Sequence, residues 1–430
     1  MPHLVTRHAE PLAREWLAYA PGLIIEGARQ VGKSTFGSML LPGGATRLTL
    51  DSPDVRAAAL ADPVGLVEQP GPLLIDEVQH APELLLAVKA EIDRDRRPGR
   101  FILTGSASLL RARGLSDSLA GRAFRMTLFG LSQGELRGRH DDVVTWLESP
   151  ETHPRIPSFR TATTRDDYVT ILTTGSYPEP QSFPQRIRAA WFEAYLDGVI
   201  GRDLSDLRRQ VQPDRAAALI RLLAARQGHE LVKARLAAES GIPTSTIDSY
   251  LDLLRDVFLY EPLPPWTPNI AKREIGRPKV VVIDSGIATR LTGMTAGQLG
   301  ALLHQEMFGH LLEGFVAAEL RRQQTWSAED FRLFHYRDSD GAEVDLIVEF
   351  ADGRVLAFEV KASSTYQAKQ FKGLAALRDA LGDRFIGGFV LGTAASGYRY
   401  APRLWGLPVS ALWEHSPTAA ERDPVSSQQP

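Results

Sequence analysis

A glycine-rich octapeptide, Gly27-Ala28-Arg29-Gln30-Val31-Gly32-Lys33-Ser34, stands between the apolar triplet Leu23-Ile24-Ile25 and an amphipathic stretch from Thr35 to Leu41. No other feature restricts the fold so strongly. The pattern G-x-x-x-x-G-K-[ST] is useful only where a buried strand delivers the loop and a helix leaves it. There, loop and helix N-terminal N–H groups converge on phosphate oxygens. The glycines permit that close approach. Residues 23–41 are therefore expected to form a strand–loop–helix unit.

The rest of the first third repeats the alternation. Leu48-Thr49-Leu50, Leu73-Leu74-Ile75, Phe101-Ile102-Leu103 and Arg125 to Phe129 read as strands. Val55 to Ala61, Glu83 to Asp93 and Ala107 to Ala120 read as helices. Short apolar runs separated by helices indicate buried parallel strands with crossover helices. The expected fold is α/β, with a P-loop parallel-sheet domain over residues 1–135.

Within that domain Leu73-Leu74-Ile75 ends in Asp76-Glu77. Such a strand carries carboxylates to the C-terminal edge of a parallel sheet, where ligands of these folds bind. The expected ligand is ATP with Mg²⁺. Residues 27–35 would hold the phosphates, with Lys33 on the β- and γ-phosphates and Thr35 on the α-phosphate. Ser34 and Asp76 would hold the metal, and Glu77 would act on the attacking water. Thr104 or Ser106, at the next strand tip, would position that water. Arg122 would reach a neighbouring subunit's γ-phosphate, which requires a homo-oligomer. No Asn-Lys-x-Asp guanine-reading motif occurs.

Beyond this domain the pattern weakens into a helical linker region over 136–213. Asp214 to Val257 reads as three helices, one ending at Gly241 and the next capped from Thr244-Ser245-Thr246. Phe258 to Leu263 resembles the strand of a wing, so 214–275 is expected to be a winged helix-turn-helix. Residues 201–280 carry 13 Lys and Arg against 10 Asp and Glu, a mildly basic balance. Thr244, Ser245, Thr246 and Ser249 are candidates for phosphate or base contacts. The other reading is a winged helix used for protein packing.

Residues 276–415 are expected to form a second α/β domain, with Lys279 to Ile283 as its first strand. Asp345 lies in one predicted strand, and Glu359-Val360-Lys361 in the next. Residues two apart share a strand face, and a hairpin would set Asp345 beside Glu359 and Lys361. Glu313, on the preceding helix, would complete an acidic cluster. This arrangement resembles the PD-(D/E)xK nuclease core, in which carboxylates hold Mg²⁺ and Lys stabilises charge. The alternative is a structural Glu–Lys pair on an inactive nuclease-like scaffold. The tail 416–430 is polar and is expected to be disordered.

Several motifs together resemble a prokaryotic AAA-type ATPase family with a C-terminal DUF4143 domain. They are 27–34, Leu74-Ile75-Asp76-Glu77-Val78-Gln79, Leu103 to Ser108, and Ser118-Leu119-Ala120-Gly121-Arg122. Later come Thr174-Gly175-Ser176-Tyr177-Pro178-Glu179, Arg202-Asp203-Leu204, Asp284-Ser285-Gly286, Gly314-Phe315-Val316 and Glu343-Val344-Asp345. Ser34 stands where many members have Thr, and either hydroxyl can bind Mg²⁺. The resemblance implies ATP binding over the first domain.

Composition narrows the remaining classes. With no Cys in 430 residues, disulfides, thiolate zinc sites and cysteine nucleophiles are excluded. A net charge of −3 excludes a polybasic nucleic-acid coat. No apolar run approaches the roughly 20 residues of a spanning helix, and Arg7, Glu10, Arg14 and Glu15 interrupt the N-terminus. The expected setting is the cytoplasm, without membrane contact. Two functions compete: an ATPase coupled to DNA or RNA through the winged helix and nuclease-like domain, and an ATP-controlled switch or scaffold for protein partners.

Overall fold

Strand β1 (Gly22–Glu26) is buried along its whole length, which requires a neighbour on each edge and cover on each face. The computed structural model describes residues 4–105, 119–204, 211–269, 273, 276–338 and 341–415. In it β1 lies between β4 (Phe101–Gly105) and β5 (Ala123–Thr127), and β3 (Leu73–Asp76) and β2 (Thr46–Thr49) continue the sheet. Its order is β2-β3-β4-β1-β5, and every pairing is parallel. The alternation of β1 sorts its side chains. Leu23 and Ile25 enter one core, while Ile24 joins Leu73, Ile75, Phe101 and Leu103 in a second core on the opposite face.

β5 begins two residues before the expected Arg125 and ends at Thr127. The expected helix from Ala107 to Ala120 falls largely outside the described residues, as do Ser106 and the tail 416–430.

Helices Arg165–Thr174, Gln185–Gly198, Pro213–Ala225, Lys233–Ser240 and Ile247–Asp256 fill the middle of the chain. Gly241 ends the fourth in the left-handed region, with φ 67°. Thr246 occupies the N-cap of the fifth but does not cap it. Its hydroxyl donates to the Pro243 carbonyl at 3.1 Å, which corrects the expected role. β6 (Tyr260–Leu263) then pairs antiparallel with β7 (Lys279–Val282), and Glu230 bridges to Lys279. The strand near Lys279 therefore sides with the three preceding helices, not with the last sheet.

That last sheet has six strands, in the order β12-β13-β11-β10-β9-β8. They are β8 (Phe331–Arg337), β9 (Glu343–Phe350), β10 (Val355–Val360), β11 (Phe385–Gly392), β12 (Tyr398–Ala401) and β13 (Leu404–Pro408). β9 and β10 form the expected antiparallel hairpin. Helix Lys372–Leu381 crosses over between the parallel β10 and β11.

One face of each large sheet opens onto the same core, which runs from Ala9 through Phe192, Leu254 and Phe315 to Trp413. Helix Gln305–Gln323 threads this core, with twelve of its nineteen residues buried. Among the described residues no helix is long and apolar enough to cross a membrane.

Candidate functional site

The glycine-rich loop turns at the C-terminal edge of the first sheet, where β1 ends. A Cβ on Gly27 would lie 2.2 Å from the Leu128 carbonyl oxygen, so only glycine lets the loop leave the sheet there. Gly32 takes φ 97° with open space where a Cβ would project. It stands immediately before helix Lys33–Leu40, where free N–H groups and the helix dipole favour an anion. Arg29, Gln30 and Thr35 are exposed, Gly32 and Ser34 are half-buried, and Ala28 and Val31 pack into the core. The buried Lys33 ammonium donates to the carbonyls of Gly27 and Ala28 at 3.1 and 2.8 Å.

The acidic strand end meets this loop as expected. Ser34 Oγ donates to Asp76 Oδ1 at 2.7 Å, across two elements 42 positions apart. Two hard oxygen donors side by side suit a small divalent cation. Thr104 is fully buried, donates to the same Asp76 oxygen, and accepts the Glu77 N–H at 3.3 Å. Its hydroxyl thus braces the two acids. Glu77 sits in the left-handed region at φ 57° and accepts a hydrogen bond from Gln79 Nε2. A non-glycine residue held there costs on the order of 1 kcal/mol or more and persists only where its surroundings fix it.

Arg122 is not part of this group. It precedes β5, whose first residue pairs with Gly22, so it lies at the opposite edge of the sheet. Its guanidinium forks onto Asp93 at 2.7 and 2.9 Å. Any contact with a nucleotide would have to be made in another subunit.

Sequence reasoning missed Arg7. Its buried guanidinium donates to the Val31 carbonyl at 3.1 Å, to the Phe129 carbonyl at 2.7 Å and to Glu135 at 3.0 Å. The loop is thereby tied to the segment after β5. That segment continues into the C-terminal part: Gln133 N–H donates to Glu319 at 3.0 Å, and Arg322 joins Glu319 to Ser176 Oγ, both at 2.8 Å. Ser176 donates to Asp284 at 2.7 Å. Burial pushes the Glu319 carboxyl up to about 7 against the pull of Arg322. The motif residues Gly175, Ser176 and Asp284 are thus parts of a buried joint. A Cβ on Gly175 would lie 2.6 Å from Asp284. Gly314 has the same character, since a Cβ there would collide with Gln227.

The second constellation also assembles. Asp345 Oδ2 accepts the Val360 N–H at 2.9 Å, and Lys361 Nζ lies 2.6 Å from Glu359 and 3.5 Å from Asp345. Glu313 closes the group from its helix. An unexpected residue sits among them. Lys279, on β7, places its ammonium 2.9 Å from Glu313, 2.8 Å from Glu343 and 3.1 Å from Asp345. Its side chain is 3% exposed.

Burial disfavours the charge on Lys279, yet Asp345, Glu313 and Glu343 outweigh it and hold the pKa above the ordinary lysine value. Burial, helped by the charge of Asp345, pushes Glu313 and Glu359 each up to about 8. Asp345 stays below its usual value because Lys279 and Lys361 overcome its burial. Among the described residues no group of three or more acidic or histidine side chains is arranged to hold a metal. This departs from the expected Mg²⁺ at Glu313, Asp345 and Glu359, because a lysine ammonium already fills the space between the acids. The Glu-x-Asp spacing of 343 and 345 was a legible signal for one added acid. No local pattern marked Lys279.

Three family models match successive parts of the chain. Residues 20–137 match an AAA domain, 165–298 a domain of unknown function, DUF8612, and 308–412 a domain of unknown function, DUF4143. The DUF8612 match runs across the boundaries expected at 213 and 275. An uncharacterized protein of Mycobacterium tuberculosis is 31% identical over 361 residues, covering 84% of this chain and 74% of its own length. A Mycobacterium bovis protein gives the same figures. Among solved structures, the Walker-type ATPase of Pyrococcus abyssi superposes with a TM-score of 0.42 at 15% identity, over 67% of this chain and 96% of its own. AMPPCP-bound DnaA from Aquifex aeolicus gives 0.24 at 11% identity, over 58% and 86%.

Proposed function

Since this chain belongs to the family of AAA-domain proteins with a C-terminal DUF4143 region, we propose that it binds and hydrolyses ATP with Mg²⁺ and couples turnover to nucleic acid. The observation that carries the ATPase reading is the contact of Ser34 with Asp76, beside the open, left-handed Gly32. Lys33 would exchange the Gly27 and Ala28 carbonyls for β- and γ-phosphate oxygens. Ser34 and Asp76 would hold Mg²⁺, which when bound offsets phosphate charge. Glu77, braced by Gln79, would orient the water for in-line attack on the γ-phosphate, and Arg122 would act across a subunit boundary.

Coupling to DNA or RNA would run through the three helices and the β6–β7 pair, read as a winged helix. Thr244, Ser245, Thr246 and Ser249 stand at the start of its third helix. ATP turnover by wild type, Lys33→Ala and Glu77→Gln tests the assignment. Lys33→Ala should lose nucleotide binding. Glu77→Gln should bind ATP and turn over at least about 100-fold more slowly. Wild-type-like turnover by both variants would reject it.

A second reading, an ATP-controlled switch for protein partners with an inactive nuclease-like domain, is favoured by Lys279 among the carboxylates. Plasmid DNA, single-stranded DNA and RNA, each with Mg²⁺ or Mn²⁺, separate the two. Cleavage lost in Asp345→Ala and Lys361→Ala would establish a nuclease. Absence of cleavage with ATP turnover intact would favour the switch.

A further inference from the structure

Two cavities, of about 370 and 960 Å³, meet where the C-terminal end of helix Ile247–Asp256 faces helix Gln305–Gln323. They share Arg255, Glu261, Arg321 and Gln324, and so form one trench. It runs from Trp16 and Phe129, beside the first sheet, to the β8 edge of the last.

Its lining carries six arginines against four acids, Asp256, Glu261, Asp330 and Glu349. Arg321 is half-buried, and its guanidinium donates only to the Gln324 amide, at 3.2 Å. Burial lowers its pKa, Glu261 opposes that, and neighbouring Arg255 adds to it. Arg255 itself reaches Glu261 at only 3.7 Å. Arg384, on the rim, makes no hydrogen bond or ion pair with any described residue. Arg273 takes both oxygens of Glu349, leaving little for Arg332 on the neighbouring strand. A buried cation without an ion-pair partner in contact is costly and is stabilised by an anion that enters with its own oxygens.

We propose that this trench binds the sugar–phosphate backbone of single-stranded nucleic acid, with Arg321 and Arg384 on phosphates. Half-buried Trp16 and Phe129 supply ring surfaces for bases at one end. Arginines beside aromatic rings are the composition of a sequence-tolerant single-strand groove. The inference rests on the nucleic-acid reading above but places the contact away from the third helix's N-terminus.

The test is fluorescence anisotropy of labelled mixed-sequence 12-mers, DNA and RNA, with the full chain at several salt concentrations. The proteins are wild type, Arg321→Gln, Arg384→Gln, the double variant, and Thr244→Ala/Ser245→Ala. Wild type should bind with a marked salt dependence. Each arginine variant should weaken binding several-fold and reduce the log–log salt slope by about 0.7, and the double variant by about 1.4. Thermal melts should show little loss of stability in Arg321→Gln, since among the described residues its guanidinium makes one hydrogen bond and no ion pair.

Wild-type-like binding by the double variant, with loss in Thr244→Ala/Ser245→Ala, would overturn the trench and leave the nucleic-acid reading standing. No oligonucleotide binding by wild type would overturn both. Displacement of bound oligonucleotide by an acidic peptide at equal charge concentration would reassign the trench to protein and overturn the proposal.

Discussion

Removing the Lys279 ammonium is the most direct test of the account of the acidic cluster. Lys279→Met keeps the length of the side chain and deletes its charge. Truncating one partner of a buried ion pair costs about 3–5 kcal/mol. Glu343 is 40% exposed and adds little to that. Glu313 is largely protonated near neutral pH. Asp345 is therefore the charge left behind, and it retains the Val360 N–H and Lys361. The low end, about 3 kcal/mol, applies. For a cooperative unit approaching the full 430 residues, with an unfolding entropy of about 2.1 cal/mol/K per residue, that corresponds to a fall of roughly 3 °C in Tm.

The pH dependence has a definite sign. Losing Lys279 raises the folded pKa of Asp345 and Glu313. Stability held by groups with raised folded pKa is present at low pH and lost as pH climbs through that value. The deficit against wild type should be greater at pH 8 than at pH 5. Near-UV circular dichroism melts at both values would measure it, and the double variant Lys279→Met/Asp345→Asn should recover most of the loss. A Lys279→Met protein within about 0.5 kcal/mol of wild type at pH 8, the scatter of ordinary surface substitutions, would refute the buried-cation argument.

Other expectations follow from the same geometry. Gly27→Ala would drive a methyl group into the Leu128 carbonyl, so titration with a fluorescent ATP analogue should show at least about tenfold weaker binding. Arg7→Gln loses the bonds to Val31, Phe129 and Glu135, and steady-state kinetics should show KM for ATP rising more than kcat falls. Arg122→Ala should lower specific ATPase activity only where activity rises with protein concentration, and a dilution series reads this directly. In wild type, Glu313 and Glu359 titrate from about 4.5 when unfolded to about 8 when folded. They should lower the guanidinium midpoint as pH rises through that interval, and Glu313→Gln should flatten the trend.

The first domain was legible because its chemistry is local. Each strand of the parallel sheet is a short apolar run, and Ser34 and Asp76 sit at motif positions whose meeting the fold dictates. Asp345, Glu359 and Lys361 were legible through the two-residue period and one hairpin. What escaped depends on distance along the chain. Arg7 reaches Glu135 across 128 positions, and Lys279 reaches Asp345 across 66. A strand that looked like the opening of the last domain paired instead with β6, because four residues of β-forming sequence carry no record of their partner. Thr246 was misread because a hydroxyl near a helix start has two competing acceptors within reach.

The joint of Gln133, Glu319, Arg322, Ser176 and Asp284 also bears on how such genes can evolve. A recombination that exchanged one half for another would strand a buried carboxylate and a buried guanidinium at the seam. The halves are therefore expected to pass between genomes as one inherited block. New specificities would then arise by substitution on the outer surfaces, not by shuffling of modules.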